Sequence, residues 1–180
     1  MTGSPGPLLL SAAQLQARVA ELGADIAREL AGGDLVLVAA LKAGVPFFAD
    51  LSRAIDLPLA LDTIELEPFA AAAPGAAAGQ GRARVLKDVD LDLAGRDVVL
   101  VDCIVDTGLT LACILRHLAG LAPRSLAAAV MLDRPYRRLV ADLPLHHVGF
   151  VAPDVPLAGY GLGDGGRLHH LPGVHVRRDI

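Results

Sequence analysis

The chain has no tryptophan, and aromatic residues make up only 3% of it. Its core must therefore be filled by aliphatic side chains. Two cysteines, Cys103 and Cys113, are too few for a disulfide framework and read as free thiols of a reducing compartment. Of the 16 basic residues only Lys42 and Lys87 are lysines. No basic tract exists, and the net charge of -4 disfavours nucleic-acid binding driven by charge. No hydrophobic run approaches the ~18 residues of a membrane span. The stretch MTGSPGPLLLSAAQ has no charged leader and only a short apolar run, so no signal peptide is expected. A cytoplasmic protein without a membrane partner is the default reading.

What is present is a chain of 180 residues, 53% hydrophobic and 20% charged, enough for one domain with a sizeable core. Residues 12–31 carry Leu15, Val19, Leu22, Ile26 and Leu30 at helical spacing. Ser11 and Gln14 form a capping-box pattern ahead of them, and Gly32-Gly33 follows as a stop. DLVLVAAL is a continuous apolar run and predicts a buried strand. Residues 45–55 and 109–119 return to helical spacing. Further strands are predicted over 57–67, 82–86, 98–102, 125–132 and 146–152. Strands alternating with helices imply an α/β fold, a mainly parallel twisted sheet with helices on both faces. Residues 67–81 form a low-complexity Ala/Gly/Pro segment that reads either as a plain surface loop or as a lid.

The chemistry concentrates in VVLVDCIVDTGLTL, residues 98–111. A strand delivers Asp102 to its carboxyl end, the usual ligand side of an open α/β sheet. Asp106, Thr107, Gly108 and Thr110 then open a helix whose free N–H groups suit an anion. Asp102 can accept hydrogen bonds from sugar hydroxyls or hold magnesium. An ordinary Asp-Thr-Gly turn is the competing reading. There is no Walker A pattern and no GxGxxG. His146, His147, His169, His170 and His175 lack metal-ligand spacing. Glu65 and Glu67 read as a solvated strand edge, and Cys113 as a core residue.

This stretch resembles the 5-phosphoribosyl-1-pyrophosphate (PRPP) motif of the type I phosphoribosyltransferases: an apolar strand, two acids, two apolar residues, then Asp-Thr-Gly-x-Thr. The chain is most similar to the hypoxanthine-guanine branch. LVLVAALKAGVPFFADLSRAI resembles its pyrophosphate-loop region, and VLKDVDLDLAGRDVVLVDCIVDTGLTL its central segment. VGFVAPDVPLAGYGLG and Leu-Pro-Gly-Val at 171–174 resemble its C-terminal hood.

The resemblance implies a single domain over 1–180, with a lid at about 67–81 and a hood at about 148–180. It implies transfer of phosphoribosyl from PRPP to hypoxanthine or guanine with Mg2+. A homodimer or homotetramer is implied as well. Asp102, Asp106 and Lys42 would be catalytic. Asp102 would hold the ribose hydroxyls, and Asp106 would act near the purine N7. Asp106, Thr107, Gly108, Leu109 and Thr110 would cradle the 5′-phosphate. Leu41, Lys42 and Ala43 would form the pyrophosphate loop with a cis Leu41–Lys42 bond, Arg138 would lie on the pyrophosphate side, and Cys103 would stand in the acid pair. Arg134, Pro156 and Leu157 would face the base. Asp102 and Asp164 would meet the metal. Tyr160 and Gly161 belong to the hood.

Several positions depart from the family pattern. Cys103 replaces the second acid, Ala43 a glycine, Pro156 a stacking aromatic, Gly163 an acid and His169 an arginine. Arg134 stands where the family has lysine, and Pro68-Phe69 where the lid has Ser-Tyr. A weakly catalytic member that binds PRPP or nucleotide as a regulator or partner subunit, or a transferase for another base, are the alternatives these leave open.

Overall fold

In a computed structural model of the chain, residues 5–67, 84–163, 165 and 167–177 are described. The order is β1 (Pro5–Leu10), α1 (Ala12–Glu29), β2 (Leu35–Ala40), α2 (Val45–Ala54), β3 (Leu59–Leu66), β4 (Val85–Lys87), β5 (Asp97–Val105), α3 (Leu109–Ala119), β6 (Ser125–Asp133), β7 (Leu145–Val151), β8 (Leu157–Ala158) and β9 (Val174–Arg177). Six strands form the main sheet in the order β4-β3-β2-β5-β6-β7. All neighbours pair in parallel except β4, which runs antiparallel to β3.

The expected α/β architecture is present. Every residue of β2 is buried, as its unbroken apolar sequence predicted. α1 and α2 cover one face, where Leu15, Leu22, Ile26, Phe47 and Leu51 pack against Val99, Val101 and Met131. α3 covers the other, with Leu111, Ile114, Leu115 and Leu118 against Val38, Leu100 and Val130. Fully burying each large aliphatic side chain stabilises the fold by about 1.5–3 kcal/mol. The Ser11–Gln14 capping box forms in both directions.

Three expectations are corrected. β5 does not end at Asp102 but continues to Val105, because its pairing with β6 runs on to Asp133. The short strand expected over 82–86 occupies Val85–Lys87. The hood is not built from the C-terminal part alone. Residues Pro5–Leu10 form a strand that completes a three-stranded sheet, β1-β9-β8. Its proline- and glycine-rich sequence gave no strand signal, and its partner lies at the other end of the chain.

Lys87 also has a structural task. Its ammonium bonds the Thr63 and Asp88 carbonyls at 3.0 and 2.7 Å and the Asp90 carboxylate at 3.1 Å. The neighbouring Asp62, 7% exposed, accepts the backbone N–H groups of Thr63, Asp90 and Leu91. Glu65 pairs in register with Lys87, while Glu67 is exposed. Cys113 is half-buried against the α3 core. Among the described residues, no helix is long and apolar enough to cross a membrane.

Candidate functional site

A cleft of about 210 Å3 opens at the carboxyl end of β5. Ala43, Asp102, Ile104, Val105, Asp106, Thr107, Gly108, Thr110 and Leu111 line it. The sheet geometry explains the selection. β2 pairs with β5 only as far as Val101, so the next residues are released from one neighbour while β6 still holds the other edge. Asp102 is the first side chain beyond that point.

Part of Asp102 opens into the cleft, but the protein packs closely around its carboxyl. Burial raises its pKa to about 7, against the opposing pull of the Cys103 and Ile104 backbone N–H groups. The Cys103 amide donates to its Oδ1 at 2.7 Å. Cys103 itself points the other way, as strand alternation requires. It is fully buried in the α1–α2 core, and its thiol donates to the Tyr160 carbonyl at 3.0 Å. Burial and the Asp102 charge push this thiol well above its usual pKa, so it stays protonated. The expected place of Cys103 among the PRPP-binding residues is therefore corrected for its side chain.

The loop after β5 leads into α3 through Gly108, whose φ of +82° is natural only for glycine. Gly108 at the N-cap has no side chain to cap α3, so apart from the Leu109 amide, which Thr107 Oγ1 accepts, its first N–H groups are left to meet an anion. Thr107 Oγ1 lies 3.4 Å from the Leu109 amide. Thr107 and Thr110 line the cleft, whereas Leu109 is 42% exposed and offers backbone only. In the loop that carries Ala43 the Leu41–Lys42 peptide is cis, the feature that the resemblance implies for this loop. Ala43 reaches the cleft, and Lys42 is exposed beside it.

Asp106 is flanked by two arginines. Arg134 Nη1 lies 3.3 Å from both of its oxygens, and Arg137 Nε lies 3.6 Å away. Arg134 is 6% exposed and also donates to the Val155 carbonyl, tying this carboxylate to the hood. Its Nε is buried without a partner. Arg137 reaches on to Asp154 at 3.1 Å. Its role beside Asp106 was not foreseen, because no local pattern distinguishes it within the run Arg134-Pro135-Tyr136-Arg137-Arg138.

The side chains of Arg138 and Leu157 lie elsewhere. Arg138 is ion-paired with Asp133 and braces Gly108 from behind instead of lining the cleft. Pro156 is exposed, and its carbonyl accepts the Arg177 amide. Leu157 is 8% exposed and packs in the core, so its side chain does not face a base. His169 folds back onto the hood turn, with Nδ1 2.7 Å from the Gly161 carbonyl. Its ring fills the space that a side chain at Gly163 would need. Asp164, Pro68-Phe69 and all but the first residue of the expected lid lie outside the described residues.

Residues 9–147 match the profile of the phosphoribosyl transferase domain. The chain belongs to the phosphoribosyltransferase family. The hypoxanthine-guanine phosphoribosyltransferase of Mycobacterium avium is 41% identical over 161 residues, covering 86% of this chain and 77% of that protein. The hypoxanthine phosphoribosyltransferase of Salmonella typhimurium is 37% identical over 171 residues, covering 93% and 92%. A solved hypoxanthine-guanine phosphoribosyltransferase from Bacillus anthracis superposes with a TM-score of 0.90 at 32% identity, covering 99% of this chain and 100% of that one. The fold is thus that of a type I phosphoribosyltransferase. This phosphoribosyltransferase has, among its described residues, no group of three or more His, Cys, Asp or Glu able to cage a metal. The carboxylates of the cleft fit instead a magnesium ion that arrives on a polyphosphate substrate and needs one or two protein oxygens.

Proposed function

We propose that this chain is a purine-salvage enzyme that transfers 5-phosphoribosyl from PRPP to hypoxanthine or guanine, giving a nucleoside 5′-monophosphate and pyrophosphate. The observation that carries this reading is one cleft lined by both Asp102 and Asp106 at an uncapped helix N-terminus. The N–H groups from Thr107 to Thr110 suit the 5′-phosphate. Asp102, on the cleft floor, suits the ribose hydroxyls. Asp106, held by Arg134 and Arg137, suits proton exchange with the incoming base. Lys42 extends from the loop where the diphosphate would leave.

Displacement at the ribose C1 develops oxocarbenium-like charge, so the work of the protein is alignment and charge placement. Magnesium bound to the diphosphate would neutralise the leaving group, and Asp102 would be the cleft carboxylate to meet it. A cytoplasmic location and assembly as a homodimer or homotetramer belong to the same reading; light scattering checks the assembly.

One observation favours a different base as the second reading. Among the residues expected to face the base, Arg134 reaches Asp106, Leu157 turns its side chain into the core, and Pro156 offers no aromatic face for stacking. Pyrophosphate release from magnesium–PRPP should be measured with hypoxanthine, guanine, xanthine, adenine and uracil, and PRPP binding followed by calorimetry on the same sample. Turnover with hypoxanthine or guanine is expected. Turnover confined to another base would move the assignment, and PRPP binding without turnover would favour a regulatory or partner subunit. Asp106→Asn should reduce kcat by orders of magnitude; near-normal turnover would remove Asp106 from the mechanism.

A further inference from the structure

The hood and the loop 41–44 are far apart in sequence, yet they meet at one dipeptide. Tyr160 adopts φ +50°, in the left-handed region that residues with a side chain seldom occupy. It is 4% exposed, and three hydrogen bonds hold it. Its amide donates to the Leu171 carbonyl at 2.8 Å. Its carbonyl accepts the Cys103 thiol of β5. Its phenol donates to Asp50 Oδ2 of α2 at 2.8 Å. The next residue, Gly161, lies so close to the loop that a Cβ there would sit 2.0 Å from the Ala43 carbonyl oxygen.

Asp50 is a fixed point and not a loose acceptor. Gln16 of α1 donates to the same Oδ2 at 2.5 Å, and Arg53 donates to Oδ1 at 2.5 Å. Phenylalanine would fill the volume of Tyr160. The hydroxyl therefore adds direction: it locks the hood turn to the helix that begins at the loop. Cys103 supplies the second tether, next to the cleft carboxylate. An alanine there would release it, a serine could keep a donor, and a buried carboxylate would face a carbonyl without a proton to offer.

We propose that Tyr160 is a positioning residue for phosphoribosyl transfer. Tethered by Asp50 and Cys103, it presses Gly161 against Ala43 and so sets how the loop 41–44 faces Asp102. It touches no substrate, and its effect falls on the diphosphate side of the cleft. The inference rests on the phosphoribosyl-transfer reading for its kinetic consequence and on geometry alone for the coupling.

The test uses Tyr160→Phe, Cys103→Ala and Cys103→Ser in the full chain. KM for PRPP and for the base, kcat, PRPP affinity by calorimetry, melting temperature and amide exchange at 41–45 are compared with the parent. One buried hydrogen bond corresponds to roughly a three- to tenfold effect. Tyr160→Phe should raise KM for PRPP by about that factor, leave KM for the base nearly unchanged, and speed exchange at 41–45. Cys103→Ala should act in the same direction, and Cys103→Ser should return towards the parent. A lower melting temperature with unchanged KM and unchanged exchange would make Tyr160 merely structural and overturn the proposal. Equal effects on both substrates would also overturn it. If the parent transfers phosphoribosyl to no base, the functional reading fails, and the exchange data still decide the coupling: faster exchange upholds it and unchanged exchange refutes it.

Discussion

Asp102 and Cys103 are adjacent in sequence and opposite in surroundings. Strand alternation puts one carboxyl in the cleft and one thiol in the α1–α2 core. The pattern Asp-x-x-x-Asp-Thr-Gly-x-Thr was legible because its chemical groups are contiguous. The direction of Cys103 was not, because a motif does not say which face of a strand the core will claim. The raised Asp102 carboxyl has a measurable consequence. Its native pKa is about 7 against an ordinary 3.8. Between these values the native state keeps a proton that the unfolded state has lost. Its contribution to stability is fully present below about pH 4 and is lost as pH rises through 7. Asp102→Asn should therefore be more stable than the parent at pH 8, by on the order of 1–2 kcal/mol. The difference should shrink towards pH 4. Urea unfolding at both pH values checks this, and a constant difference would contradict it.

The helices and central strands follow from local pattern, and their boundaries follow from neighbours. The capping box at Ser11 and the unbroken run of β2 were readable because each is a short-range signal. The extension of β5 to Val105 was not, since β6 rather than local sequence sustains it. α3 follows Gly108, where backbone conformation and space both demand glycine. A Cβ there would lie 2.8 Å from Leu143 Cδ1 and 2.9 Å from Arg138 Cδ. Gly108→Ala should destabilise the protein by about 1–2 kcal/mol. It should also weaken PRPP binding, because the free N–H groups of α3 would turn with the loop. Urea unfolding and calorimetry test the two effects separately; unchanged PRPP affinity would disconnect Gly108 from the phosphate cradle.

At the scale of the molecule, the hood is a joint between the chain ends. β1 pairs with β9, which pairs with β8, and the turn after β8 carries Tyr160 and Gly161 to the loop 41–44. Deleting residues 5–10 should open the β9 edge and lower the melting temperature by about 5 °C or more. It should also raise KM for PRPP, since the hood then loses the sheet that steadies it. A deletion variant with parental melting and kinetics would show that β1 is dispensable.

The sequence by itself determined the α/β architecture, the strand that carries Asp102, the Asp106–Thr110 turn that opens α3 and the family resemblance. All of these reside in local periodicity or in one contiguous motif. Only the tertiary structure decided that Cys103 faces the core, that Arg137 joins Arg134 beside Asp106, that Leu157 is core and not base-facing, and that the N-terminal strand completes the hood. Those facts depend on pairings between residues distant along the chain. Their physical cause is the burial of apolar surface and the pairing of buried polar groups across elements, which no single stretch of sequence encodes.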